Sequence, residues 1–200
     1  MPHKAHLSKD RKLKKLIETI EVPALKKRRN LFTYLCASIM SQQLSTKVAD
    51  IIYKRYIKLY GGKEPTPQQV LDTPFEALRG IGLSNAKVNY VQNVARFEIE
   101  SGMHHKKLQA MDNEEVIAYL TTIKGVGRWT VEMLLMFALG REDIFAVDDL
   151  GIQQAMAGLY KLDVSDKKQL KADMLRISEK WSPFRTYACM HLWRWKDSGE

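Results

Sequence analysis

Apolar residues recur three and four apart along nearly the whole 200-residue chain, and runs that alternate apolar with polar are hard to find. Such a chain can bury its apolar surface only as amphipathic helices, because a strand needs period two and a helix 3.6. The reading is all-α, with about ten short helices. At 45% apolar residues there is enough surface to bury for one domain with a real core, or for two small lobes sharing one.

Helix starts are marked by caps. Thr66 and Thr73 each stand before a proline suited to the first helical position, and Glu76 is the capping-box partner expected for Thr73. Ser182 before Pro183 repeats the signal, and Ser84, Asp112 and Ser165 are further predicted caps. Gly61-Gly62 followed by "KEPTP" is the strongest break, yet it is too short to separate independent domains. Residues 1–200 therefore read as a single helical domain.

The formal net charge of +9 points to a polyanionic partner, nucleic acid first. Cys36 and Cys189, each among apolar neighbours, suit buried thiols rather than a disulfide framework, and two cysteines cannot hold an iron–sulfur cluster. His3 and His6 lie in a polar leader, and His104 with His105 in a basic patch. All four read as surface residues, and no metal or cofactor is expected. No stretch approaches the roughly 18 apolar residues of a membrane span. The expectation is a monomer without membrane attachment, in a prokaryotic cytoplasm first and a nucleus second.

One motif occurs twice. "LRGIGLSNAKV" from Leu78 and "IKGVGRWTVEM" from Ile123 share the order apolar, basic, Gly, Ile or Val, Gly, ahead of a helix. Either copy could be an ordinary helix–helix turn, or a turn whose backbone N–H groups and following helix meet a phosphate. After the second copy come Trp129, an apolar helix, and then Asp148 and Asp149 before "LGIQQAM". One acid of that pair suits a helix N-cap, which leaves its neighbour for chemistry.

With these residues in place, the segment Ile123 to Gln154 resembles the helix-hairpin-helix DNA glycosylases, whose signature is a Gly-x-Gly hairpin followed by a catalytic Asp. "IMSQQLSTKVA" from Ile39 looks like that family's Gln-rich segment, and "GIGLSNAKVNYV" from Gly80 like its Gly-Leu-Ser…Lys turn. "KWSPFRTYACMHLWRW" from Lys180 is similar to the C-terminal helix of the alkylated-purine branch, the 3-methyladenine DNA glycosylase II type. The resemblance implies a two-lobed helical bundle with the hairpin at about residues 120–140, N- and C-terminal segments sharing one lobe, and a DNA-binding cleft between lobes. It makes Asp149 the catalytic carboxylate and Asp148 the cap. Trp129 and Trp193 match aromatic walls of the base pocket. Lys124, Gly125, Val126 and Gly127 form the hairpin that grips the DNA backbone, with Lys124 replacing a more usual Pro. Gln43 falls near the side chain that fills the gap left by a flipped base, and the apolar Leu44 beside it is the other wedge candidate.

Members that also cut the strand carry a Lys where this chain has Trp129, so the resemblance implies base release by water without strand scission. The implied partner is double-stranded DNA with a damaged base, and the implied reaction is hydrolysis of the bond to an alkylated purine. Two other readings stay open: a helix-hairpin-helix module that binds DNA without catalysis, and a glycosylase for neutral deaminated or oxidised bases. Tyr187 and His191 fall near the face of Trp193 and could line a pocket or simply pack.

Overall fold

The computed structural model describes residues 1–198, and among them thirteen α-helices and one 3-10 turn carry the fold with no strand. The chain divides into two compact units. One is formed by Met1–Lys26 together with Leu135 onward, the other by Lys27–Leu134. No helix among the described residues is long and apolar enough to cross a membrane.

The first unit begins with α1 (Pro2–Leu7) and α2 (Arg11–Thr19). The supposed leader is therefore folded, and His3 corrects the surface reading: only 5% exposed, it stacks flat on Tyr187 with ring centroids 3.8 Å apart. Asp10 caps α2 by accepting from the backbone N–H groups of Lys12 and Leu13. The same buried carboxylate accepts from the Tyr160 hydroxyl at 2.6 Å and the Trp181 indole at 3.1 Å, and pairs with Lys180 at 2.9 Å. Burial alone would raise its pKa, but these donors outweigh it and hold the carboxyl at about 2.

The second unit carries α3 (Leu31–Ser41), α4 (Thr46–Leu59), α5 (Pro67–Asp72), α6 (Phe75–Gly80), α7 (Asn85–Glu100), α8 (His105–Gln109) and α9 (Asn113–Thr121), with α10 (Arg128–Phe137) beginning in it. Its core is built from one face of α7, with Val88, Val91 and Val94 fully buried, together with Leu35, Cys36 and Ile39 of α3. Thr66, Ser84 and Asp112 cap α5, α7 and α9 as predicted. The capping box forms at Thr66 with Gln69 and at Asp112 with Glu115, not at Thr73 with Glu76. Thr73 is instead the last residue of α5's turn, its hydroxyl bonded to the Gln69 carbonyl at 2.6 Å and to Tyr60 at 2.9 Å.

The first unit closes with α11 (Leu150–Tyr160), α12 (Lys167–Ser178), a 3-10 turn at Glu179–Trp181, and α13 (Arg185–Ser198). Asp166, not Ser165, caps α12 by accepting from the Lys168 and Gln169 N–H groups, while the N–H and hydroxyl of Ser165 are both taken up by Asp163. Ser182 does not start a helix: it ends the 3-10 turn, its hydroxyl donates to Asp143, and α13 starts only at Arg185. Asp143 also takes a two-pronged ion pair from Arg185, and the Thr186 hydroxyl accepts from the Ile144 N–H while donating to the Arg141 carbonyl. These bonds dock the segment before the acid pair onto α13.

Candidate active site and nucleic-acid interface

Asp149 sits where that docked segment turns into α11. It is Asp149, not Asp148, that caps the helix: its Oδ1 accepts from the Ile152 N–H at 2.9 Å. Asp148 points instead to solvent, in an ion pair with Lys171. The assignment of the cap to Asp148 fails because the cap must be the residue directly before the first helical one, here Leu150. The acid expected to do chemistry is thus also the helix cap.

Trp193, on α13, donates its indole N–H to the same Oδ1 at 2.8 Å. Its edge therefore faces Asp149, while its ring lies 6.1 Å from that of Phe137. Two N–H donors from different helices converge on one carboxylate oxygen and fix its direction. Gly151 makes this approach possible, since a Cβ there would lie 3.0 Å from Asp149 Oδ1 and 3.1 Å from the Trp193 ring. Sequence reasoning passed over Gly151; its only signal was a glycine in the first turn of a helix, where it lowers helix propensity without local need.

Tyr187 and His191 pack rather than face an opening. Tyr187 lies under His3, and His191 is fully buried with neither ring nitrogen hydrogen-bonded. Trp181 is likewise a core residue, completely buried against Asp10.

The hairpin lies in the other unit, between α9 and α10. The buried side chains of Ile123 and Val126 anchor the turn, and the Val126 N–H closes it on the Ile123 carbonyl at 3.0 Å. Gly125 has φ +105°, and a Cβ there would fall 2.2 Å from the Tyr90 ring of α7. Glycine is required on both counts. Gly127 differs from expectation: its backbone is ordinary and a Cβ would meet nothing within 4 Å, so what it offers is an open surface, not conformational freedom. Lys124 is exposed, and its carbonyl accepts from Asn93 at 3.1 Å. Arg128, next in sequence, is committed to protein carboxylates, with two bonds to Glu114 and one at 3.0 Å to the buried Glu132. That pairing braces α10 against α9, and the four-residue spacing of Arg128 and Glu132 was its visible signal. Trp129, on the first turn of α10, is 40% exposed. It belongs to the second unit, whereas Trp193 belongs to the first.

Gln43 and Leu44 form the short turn between α3 and α4. Both are exposed, and Gln43 has a left-handed backbone with φ +58°. Such a conformation is costly for a residue with a Cβ and persists only where the surroundings enforce it. The enforcing group is Lys87, whose ammonium donates to the carbonyls of Met40 at 3.0 Å and Gln42 at 2.6 Å. Burial lowers its pKa. Lys87 is the lysine of the Gly-Leu-Ser…Lys segment, so the first Gly-x-Gly copy serves the Gln43 turn from within. Consistent with that, Gly82 faces Ile52 and Arg55 of α4, and Arg55 donates to the Ile81 carbonyl at 3.4 Å.

Known proteins resemble this chain over most of its length. Residues 36–181 match the HhH-GPD superfamily of base excision DNA repair proteins. The chain is 37% identical to DNA-3-methyladenine glycosylase 1 of Schizosaccharomyces pombe over 187 residues, covering 92% of this chain and 80% of that protein. Among solved structures, the Schizosaccharomyces pombe 3-methyladenine DNA glycosylase Mag1 in complex with abasic DNA superposes with a TM-score of 0.84 at 34% identity, over 97% of this chain and 96% of that one. A DNA-3-methyladenine glycosidase from Bacillus halodurans gives the same TM-score at 36% identity, over 100% and 91%.

Proposed function

We propose that this chain, which belongs to the HhH-GPD superfamily of base excision DNA repair proteins, is a DNA glycosylase that removes alkylated purines and leaves an abasic site. The likeness to the 3-methyladenine glycosylases over most of both chains supports the substrate class. The observation that carries the mechanism is the Asp149 carboxylate, held in one direction by the Ile152 N–H and the Trp193 indole.

A base within a duplex cannot be reached, so it is turned out of the stack at a cost of a few kcal/mol, least for damaged bases. Gln43, on its braced turn, fills the space vacated, since Lys87 fixes its backbone while leaving its side chain exposed. A purine alkylated on a ring nitrogen carries positive charge, which favours stacking on the exposed Trp129 ring and makes the base a good leaving group. As the bond to the base breaks, positive charge grows on the sugar. Asp149 opposes that charge with an orientation set before the reaction, and water completes the hydrolysis. The hairpin Lys124–Gly127 holds the DNA backbone, with Gly127 allowing close approach. Trp129 stands where strand-cutting relatives need an amine, so no covalent adduct with the sugar forms.

The test is release of free base from duplexes holding 7-methylguanine or hypoxanthine under single-turnover conditions. Asp149→Asn is expected to slow release by about 10²-fold or more, with the larger effect on the neutral hypoxanthine. Asp148→Asn, which removes only a surface ion pair, should leave the rate intact. Borohydride should trap no protein–DNA adduct while bases are released. Efficient trapping, or full activity in Asp149→Asn, would overturn the assignment.

A further inference from the structure

We infer that the exposed side of α7 next to the hairpin is a second DNA-backbone site, in which Arg96 and Asn89 hold a phosphate beyond the one gripped by the hairpin itself. The inference rests on the glycosylase reading for its partner, but on separate residues for its geometry. A trough of about 430 Å³ runs along α7 from Asn89 and Tyr90 to Asn93 and Arg96, with Lys124 on its far wall. It continues past Arg96 and Lys124 into a shallower hollow of about 280 Å³.

Side chains able to donate hydrogen bonds line the first part of the trough, and no carboxylate does; Glu100 enters only at the far end of the second. Among the described residues neither Arg96 nor Lys124 forms an ion pair, in contrast to Arg128, whose guanidinium is taken up by Glu114 and Glu132. Two cations facing one trough without anionic partners leave an electrostatic demand that a phosphodiester meets.

The trough is also mechanically tied to the hairpin. The Tyr90 ring fills the space that a side chain at Gly125 would need, and the Asn93 amide donates to the Lys124 carbonyl at 3.1 Å. The Asn93 carbonyl oxygen in turn accepts from Arg96 at 3.3 Å, which turns the guanidinium toward the hairpin and leaves other donors for a ligand. A planar guanidinium so oriented suits two-pronged binding of a phosphate. Backbone contacts of this kind set register without reading sequence, so the site extends the grip along the strand and leaves base choice unaffected.

The test measures affinity for abasic-site duplexes over a salt series, using wild type, Arg96→Gln and Arg96→Lys. Arg96→Gln is expected to weaken binding to a long duplex about five- to tenfold and to reduce the slope of log K against log salt by about 0.9, the contribution of one phosphate contact. Arg96→Lys should fall between, since it keeps the charge and loses the fork. Base release at saturating DNA should be unchanged. Trimming the duplex from one side of the abasic site should abolish the difference between wild type and Arg96→Gln, because the contacted phosphate is then missing. Wild-type affinity and slope in Arg96→Gln would overturn the proposal. So would a loss that keeps the wild-type slope and persists on every duplex length, since that marks a change in the protein. A wild-type protein that releases no base would sink the glycosylase reading and leave these binding results standing.

Discussion

Asp149 caps α11, and in the proposed mechanism the same carboxylate also opposes the charge on the sugar. The cap bond and the Trp193 bond both fall on Oδ1, so the constraint is on direction. Trp193→Phe keeps an aromatic ring and removes the N–H. It is expected to slow the chemical step about tenfold, the worth of one hydrogen bond to a charged acceptor, while duplex affinity stays near wild type. A rate equal to wild type would mean that the Trp193 bond does not orient the carboxylate. Gly151→Ala tests the same pair from the other side. Alanine favours a helix by up to about 1 kcal/mol over glycine, so the protein should not lose stability, yet the added Cβ at 3.0 Å from Oδ1 must displace either Asp149 or Trp193. Slower base release in a protein that melts no earlier is the expected combination.

At the scale of elements, the two hairpin glycines separate folding from binding. Gly125→Ala places a Cβ into the Tyr90 ring at a left-handed backbone angle and should cost at least about 1–3 kcal/mol, lowering the melting temperature together with DNA affinity. Gly127→Ala meets no protein atom and should leave melting unchanged while weakening binding to abasic duplex, because in the proposed complex any added bulk faces the DNA. If both variants melt like wild type, the packing of Tyr90 on Gly125 does not hold the hairpin. The duplicated Gly-x-Gly is explained at this scale too. One copy presents a turn outward, and the other leads into the helix whose Lys87 pins the Gln43 turn.

For the whole molecule, acid should act first through the unit that contains both chain ends. His191 is fully buried, and burial, with lesser contributions from His3, Lys4 and Arg194 against the opposing Glu21, lowers its pKa to about 4. A histidine depressed below its ordinary 6.5 is neutral in the fold, so its contribution is full above that value and is lost as pH falls toward 4. The loss is on the order of 3 kcal/mol. Asp10, held at about 2, keeps its contribution until pH drops below its ordinary value of 3.8. Melting temperature should therefore decline between pH 6.5 and 4 and again below 4. His191→Phe, which removes two nitrogens that lack hydrogen bonds, should flatten the first decline and leave the second. A wild-type melting temperature that stays constant from pH 7 to 4.5 would count against this account.

What could be read from the chain alone was what neighbours in sequence decide. Helical periodicity required an all-helical fold, and the caps at Thr66, Ser84 and Asp112 form because a side chain and an N–H three residues on suffice to make them. The combination of Gly-x-Gly, acid pair and aromatic C-terminal segment pointed to the superfamily that the comparison bears out. Only the tertiary structure decided which indole holds Asp149, why Gly125 must be glycine, what Lys87 holds, and that His3 is buried. Each of these depends on a partner far along the chain: Asp149 and Trp193 are 44 residues apart, Lys87 and Gln42 are 45 apart, and Tyr90 reaches Gly125 from another helix. Periodicity and capping rules act over a turn or two of helix, so they carry no information about which distant side chains the packed helices bring within hydrogen-bonding distance.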